Sequence, residues 1–157
     1  MPVVSNSSPL IALEQIGRVD LLKALLGEIL IPDAVASEVS ATVQPRTWIL
    51  RQPLLQPVVP RARQAALGAG EREAISLAIQ VKASAILLDD DPARKTATDL
   101  KLRVLGTAGI LVLAKERSLI ESVKPCLDAL IGHRFFLSRT IYELILDRAG
   151  ESGQGQE

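Results

Sequence analysis

Ala85-Ile86-Leu87-Leu88-Asp89-Asp90-Asp91-Pro92 decides the fold. Four consecutive apolar residues bounded by polar ones have the length and texture of a strand buried on both faces. Three acids follow at once, and Pro92 opens a helix where its missing N–H costs nothing. A fully buried strand running into a helix is half of a βα unit, the building block of parallel sheets. The same pattern recurs on both sides. Pro2 to Ser5 is a Val-rich strand that stops at Asn6-Ser7-Ser8-Pro9. There Ser8 reads as an N-cap and Pro9 as the first helical residue. Helices are expected from there to Gly17 and from Arg18 to Leu26, then a strand over Glu28 to Ile31 and a helix opening at Pro32-Asp33. The stretch from Ala41 to Gln56 is broken by Pro45 and Pro53 and reads as a short helix with a connector, and Val58-Val59 as a short strand. The turn Leu67-Gly68-Ala69-Gly70 leads into a strongly periodic helix from Glu71 to Lys82. Downstream come a strand at Arg103 to Leu105 and helices over Ala108 to Lys115, Leu119 to Ile131 and Ser138 to Arg148.

Strands alternating with helices predict an α/β fold: a central, mostly parallel sheet flanked by helices. The chain has 157 residues, which suits one domain, expected over 1–149. The glycine-rich polar segment 150–157 is expected to be a disordered tail.

Composition narrows the chemistry. Lys+Arg and Asp+Glu are both 18, so no uniformly basic surface is available to hold duplex DNA by counterion release. Aromatics are only 3%, too few for a stacking platform. One cysteine, Cys126, and one histidine, His133, exclude an intramolecular disulfide and argue against a zinc site or a Cys–His nucleophile. Cys126 reads as buried filler and His133 as a helix-end residue. No apolar run reaches membrane-spanning length, and the N-terminal stretch does not read as a signal peptide, so a cytoplasmic location is expected.

In parallel α/β sheets ligands sit beyond the carboxyl ends of the strands. Those ends carry Ser5 to Ser8, then Asp89 to Asp91, then Gly106 and Thr107. Glu38 lies beside the apolar stripe of Val35 and Val39, and Glu71 follows the glycine turn. Adjacent carboxylates at the edge of a core strand repel one another, and a divalent cation would remove that cost. Oxygen-only ligands suit Mg²⁺ or Mn²⁺, and such an ion supports phosphodiester hydrolysis. Each acid also has a plainer role. An aspartate before Pro92 caps a helix, and Glu71, Glu73 and Asp33 complement helix dipoles.

Three stretches carry a resemblance: VVSNSSPLIALEQIGRVDLLKALLGEILIPDAVASEV from Val3, GAGEREAISLAIQ from Gly68, and AILLDDDPARKTATDLKLRVLGTAGIL from Ala85. In order, spacing and strand-end placement the chain resembles the PIN-domain family, in particular small prokaryotic PIN proteins related to VapC toxins (the DUF3368-type subgroup). The resemblance implies a three-layer fold with acids meeting at the carboxyl edge, a Mg²⁺ or Mn²⁺ cofactor and cleavage of RNA. It puts the first acid position at Asn6, the second at Glu38, the third at Glu71 and the fourth at Asp89 or Asp90. Glu73 is the alternative for the third. Ser8, Arg94 and Thr107 match supporting polar positions. Asn6 departs from the aspartate usual in the family. Its amide can ligate through oxygen but brings no charge.

The resemblance thus implies a metal-dependent ribonuclease and, with it, an RNA substrate, a homodimer and an antitoxin partner. Arg61, Arg63, Arg94 and Lys95 are candidates to hold an RNA backbone. Uncharged Asn6 favours a second reading, a PIN-like module that binds RNA or protein without turnover. A receiver-like signalling domain fits less well, because its acidic pair follows an early strand. Leu10, Leu13, Leu21, Leu22 and Leu25 on the two early helices belong to the core or to a dimer face.

Overall fold

A computed structural model describes residues 2–153. Five parallel strands form one sheet in the order β3-β2-β1-β4-β5. They are β1 (Val3–Ser5), β2 (Ile29–Ile31), β3 (Ile49–Arg51), β4 (Ala85–Leu87) and β5 (Val104–Leu105). β1 is central and fully buried, with Val4 opposite Leu30 on one side and Ile86 on the other. The α/β class and the parallel sheet are as expected, and the sheet is parallel throughout.

The first helices are α1 (Ser7–Gln15), α2 (Asp20–Leu26), α3 (Asp33–Val39), α4 (Pro60–Gln64) and α5 (Ala69–Gln80). They are followed by α6 (Asp91–Asp99), α7 (Thr107–Glu116), α8 (Lys124–Gly132) and α9 (Arg139–Arg148). α5 packs on β1 and β4 and lies against α3, which in turn touches α1. α7 lies against α2 and α9. Leu10, Leu13 and Leu22 join Ile86, Leu87, Leu88, Ile110 and Leu111 in the fully buried core. Leu21 is buried as well, and Leu25 packs against the same core partly covered. The early leucines therefore offer no free apolar face.

Several local expectations are corrected. Asn6, not Ser8, is the N-cap of α1, so Pro9 sits in the first turn rather than at its start. The stretch 41–56 holds the edge strand β3 rather than a helix. Its connector is stitched to α1 by Glu14, which accepts from Gln44 N and from both terminal nitrogens of Arg46. Val58-Val59 is not a strand: Val59 caps the short helix α4, where Pro60 takes the first turn. Residues 119–123 precede α8 rather than belonging to it.

Glu151, placed in the expected tail, belongs to the folded chain. Glu151 is only 1% exposed. Its carboxylate accepts from Val123 N at 2.6 Å, Lys124 N at 3.1 Å and Lys115 Nζ at 3.0 Å. Two free N–H groups at the start of α8, which has no cap of its own, are satisfied in this way from the far end of the chain. The last part of the expected tail, 154–157, lies outside the described residues.

Candidate active site

Four elements end at one place. Asn6 is the first residue after β1, and Asp90 stands three residues past the last residue of β4. Glu38 comes from the last turn of α3 and Glu71 from the first turn of α5. Together with Ser7, Ser8, Gly68 and Gly70 they line a cavity of about 250 Å³. It opens at the carboxyl edge of the sheet, where a parallel α/β fold places its ligands.

Each acid is fixed through one oxygen. Ser7 Oγ donates to Glu38 Oε1 at 2.6 Å. Gly68 N donates to Glu71 Oε1 at 3.0 Å, the return half of a capping box. Ala93 N donates to Asp90 Oδ2 at 3.2 Å, so Asp90 also caps α6. The plainer capping roles and the place in the cavity thus belong to the same side chains. Glu71 and Asp90 line the same cavity, near enough for the charge of Asp90 to act on Glu71. Burial, first, pushes the Glu71 carboxyl above its usual range. The Gly68 N–H pulls it down, while the negative charges of Asp90 and Glu38 push it further up.

Gly70 makes this approach possible. A Cβ built there would collide with the Glu38 carboxylate and lie 3.1 Å from Asn6 Oδ1. A side chain at this position would push the Glu38 carboxylate out of its place in the cavity.

The alternatives left open by the sequence separate cleanly. Glu73 is turned away: its Oε1 accepts from Ala34 N at 3.0 Å and caps α3. Asp89, a candidate metal ligand by resemblance, does not line the cavity either. Its Oδ1 accepts from Thr107 N at 2.8 Å and its Oδ2 from Thr107 Oγ1 at 2.6 Å. Burial raises the Asp89 carboxyl pKa, against the opposing pull of both Thr107 donors and of Arg94. Arg94 donates to Leu88 O at 2.8 Å. Its Nη1 would lie 2.7 Å from a Cβ at Gly106, so that glycine too is set by close approach. Arg94 and Thr107 therefore support the β4–β5 edge and do not reach the cavity. Ser8 does line it. Sequence reasoning missed Ser7 and Gly70. The signals were there, in the run Asn6-Ser7-Ser8 and in the spacing of the glycine turn, but neither names its partner.

The donor set is oxygen only, as Mg²⁺ or Mn²⁺ requires. Glu38, Glu71 and Asp90 each keep a second oxygen for a ligand, and Asn6 adds an amide oxygen. Among the described residues no group of three or more His, Cys, Asp or Glu side chains is arranged to hold a metal ion by itself. An open, hydrated site is the arrangement a small hard cation prefers, because it dehydrates reluctantly and needs only one or two carboxylates. It is the oxygen chemistry of the four side chains that suits such an ion.

A family model, DUF3368, described as a PIN domain, matches residues 2–151. The chain belongs to the PIN-domain family. A solved structure of similar fold is "a PilT N-terminus domain protein" from the hyperthermophilic archaeon Sulfolobus solfataricus P2. It has a TM-score of 0.58 and 16% identity, and the match covers 73% of this chain and 93% of that one. No curated protein matches. PIN domains are generally metal-dependent nucleases, and this PIN domain has the corresponding three-layer fold. Among the described residues no helix is long and apolar enough to cross a membrane.

Proposed function

We propose that this PIN domain is a Mg²⁺- or Mn²⁺-dependent ribonuclease that hydrolyses RNA phosphodiesters, and that it acts as the toxin of a toxin–antitoxin pair. One observation carries the ribonuclease reading. Asn6, Glu38, Glu71 and Asp90 come from four separate elements to one cavity, and there the Glu71 carboxyl is raised by burial and by its acidic neighbours. Stability alone does not call for unneutralised acids facing one another, whereas a site awaiting a cation does.

These four residues would hold the metal. When bound, such an ion lowers the pKa of a water and draws charge from the scissile phosphate. Ser7, Gly68 and Ala93 orient the three carboxylates through their fixed oxygens, so a ligand meets a preset arrangement. Gly70 keeps Glu38 and Asn6 within reach of the start of α5.

The neutral amide at Asn6 removes one negative charge from the set and favours the second reading, a PIN domain that binds RNA or protein with weak or no turnover. Exposed Ile131, Phe136, Ile141 and Leu144 on and between α8 and α9 support a homodimer or an antitoxin as partner. The cytoplasm is the compartment that suits an RNA substrate.

The test is incubation of labelled single-stranded RNA with purified protein and Mg²⁺ or Mn²⁺. Metal-dependent cleavage is expected, with Glu38→Gln and Asp90→Asn each reducing the rate about 100-fold or more. Binding of the strand without turnover, and with no metal taken up in calorimetry, would select the second reading.

A further inference from the structure

The chain contains one asparagine, and it is Asn6. It lines the cavity beside Glu38, Glu71 and Asp90, as the uncharged amide among three acids. The residue is 5% exposed. Each of the three acids is held by a donor on one oxygen. The Asn6 amide has no such partner among the described residues. It caps α1 by position, without a side-chain hydrogen bond to the helix. Its amide nitrogen is therefore not tied down.

The next residue supplies a nucleophile. Ser7 is the first residue of α1, so its backbone N–H has no carbonyl to bond within the helix. Its hydroxyl lies 2.6 Å from Glu38 Oε1, which brings a carboxylate to the same residue as a base. Gly70, in the first turn of α5, comes so near that a Cβ on it would lie 3.1 Å from Asn6 Oδ1. The positive end of α5 thus meets the amide oxygen, where negative charge develops when Cγ is attacked.

We propose that Asn6 is a self-modification site, at which the chain converts its own amide to aspartate and so completes the acid set of the cavity. The inference rests on the metal-site reading above. Ser7 N attacks Asn6 Cγ. The N–Cγ bond forms, the Cγ–Nδ2 bond breaks, and the Ser7 proton, passed through Glu38, leaves on ammonia. The product is a succinimide. Water then opens the ring at Cγ, giving its hydroxyl to Cγ and its other hydrogen to Ser7 N. Water is the only co-reactant. Aspartate caps a helix as well as asparagine does, and the start of α1 favours the new charge, so the fold keeps its cap. The same charge adds to those of Glu38, Glu71 and Asp90 and strengthens the demand for a cation. A fresh chain then binds a cation weakly and an aged chain binds it tightly.

The experiment ages the purified full chain in isotope-labelled water and follows the N-terminal tryptic peptide, which ends at Arg18, by mass spectrometry. A time-dependent change of amide to carboxyl at position 6 is expected, with labelled oxygen taken up, and faster in the folded chain than in urea. Hydroxylamine, which cleaves a chain at a succinimide, should cut between positions 6 and 7. Ser7→Ala keeps the N–H and should still convert. Ser7→Pro removes the N–H and should not. Proline is favoured at the first helical position, and the extended backbone of Asn6 (φ −79°, ψ 174°) suits the residue before it. No conversion in the folded chain, conversion no faster than in urea, or undiminished conversion in Ser7→Pro would each overturn the proposal. Calorimetry with Mn²⁺ separates it from the reading on which it rests. The aged chain, like Asn6→Asp, is expected to bind Mn²⁺ about 10-fold or more tightly than the fresh chain. Conversion without any gain in Mn²⁺ affinity would overturn the metal-site reading and leave the modification standing. Metal-dependent RNA cleavage without conversion would overturn the modification and leave the ribonuclease reading standing.

Discussion

Glu71 and Glu151 are both acids partly or wholly withdrawn from water, and their surroundings are opposite. Glu151 is met by donors: two backbone N–H groups at the start of α8 and the Lys115 ammonium. Burial alone would raise its carboxyl. The Val123 N–H, Lys115 and the Lys124 N–H more than offset that and hold it below its ordinary value of 4.5. Burial raises the Glu71 carboxyl too, but there a single donor, Gly68 N, opposes it, and the charges of Asp90 and Glu38 add to the rise. An acid pulled down by its neighbours holds the fold together. An acid pushed up by burial among other acids is a cost that function must explain.

The largest stability effect should come from the acid that is satisfied. Glu151→Gln weakens two helix-start hydrogen bonds and leaves Lys115 without its counter-charge. A loss of about 2 kcal/mol is expected in denaturant unfolding at neutral pH. The sign with pH is fixed. The pKa of Glu151 is lowered on folding, so its contribution is full above 4.5 and fades as pH falls through the lower folded value. Wild type and variant should therefore converge in acid. A difference that grew on acidification would break the comparison.

A smaller effect sharpens the same contrast within one dipeptide. Asp89 and Asp90 are adjacent, yet Asp89 is held by Thr107 and Asp90 lines the cavity. Asp89→Asn keeps an acceptor for the Thr107 N–H and should cost about 1 kcal/mol. Metal affinity should change little, in contrast to Asp90→Asn. Equal loss of metal binding in both variants would return Asp89 to the ligand set.

Much of this was legible in the sequence, and the remainder was hidden for physical reasons. Composition marks the strand ends and helix starts, and the resemblance to the PIN family singled out Asn6, Glu38, Glu71 and Asp89 or Asp90. Asp89 and Asp90 could not be told apart, because neighbours at a strand end point to opposite sides and only a distant partner, Thr107, decides which is taken. Glu71 and Glu73 posed the same problem on a helix, settled by Ala34 N. β3 escaped detection because it is a short edge strand between prolines, with exposed Leu50 and Arg51 in place of an apolar run. Glu151 was lost in a segment whose composition reads as tail, since its backbone partners lie 28 and 27 residues away.

Titration of Mn²⁺ into wild type and Glu71→Gln, followed by calorimetry and by melting temperature, tests most directly whether the acidic cavity is a cation site. Glutamine keeps an acceptor for the Gly68 N–H and removes only the charge. The variant is predicted to be more stable than the wild type when metal-free at neutral pH. It is also predicted to bind Mn²⁺ at least about 10-fold more weakly, as loss of even an outer partner of a metal site does. Equal Mn²⁺ affinity, together with a metal-free variant no more stable than the wild type, would contradict the assignment.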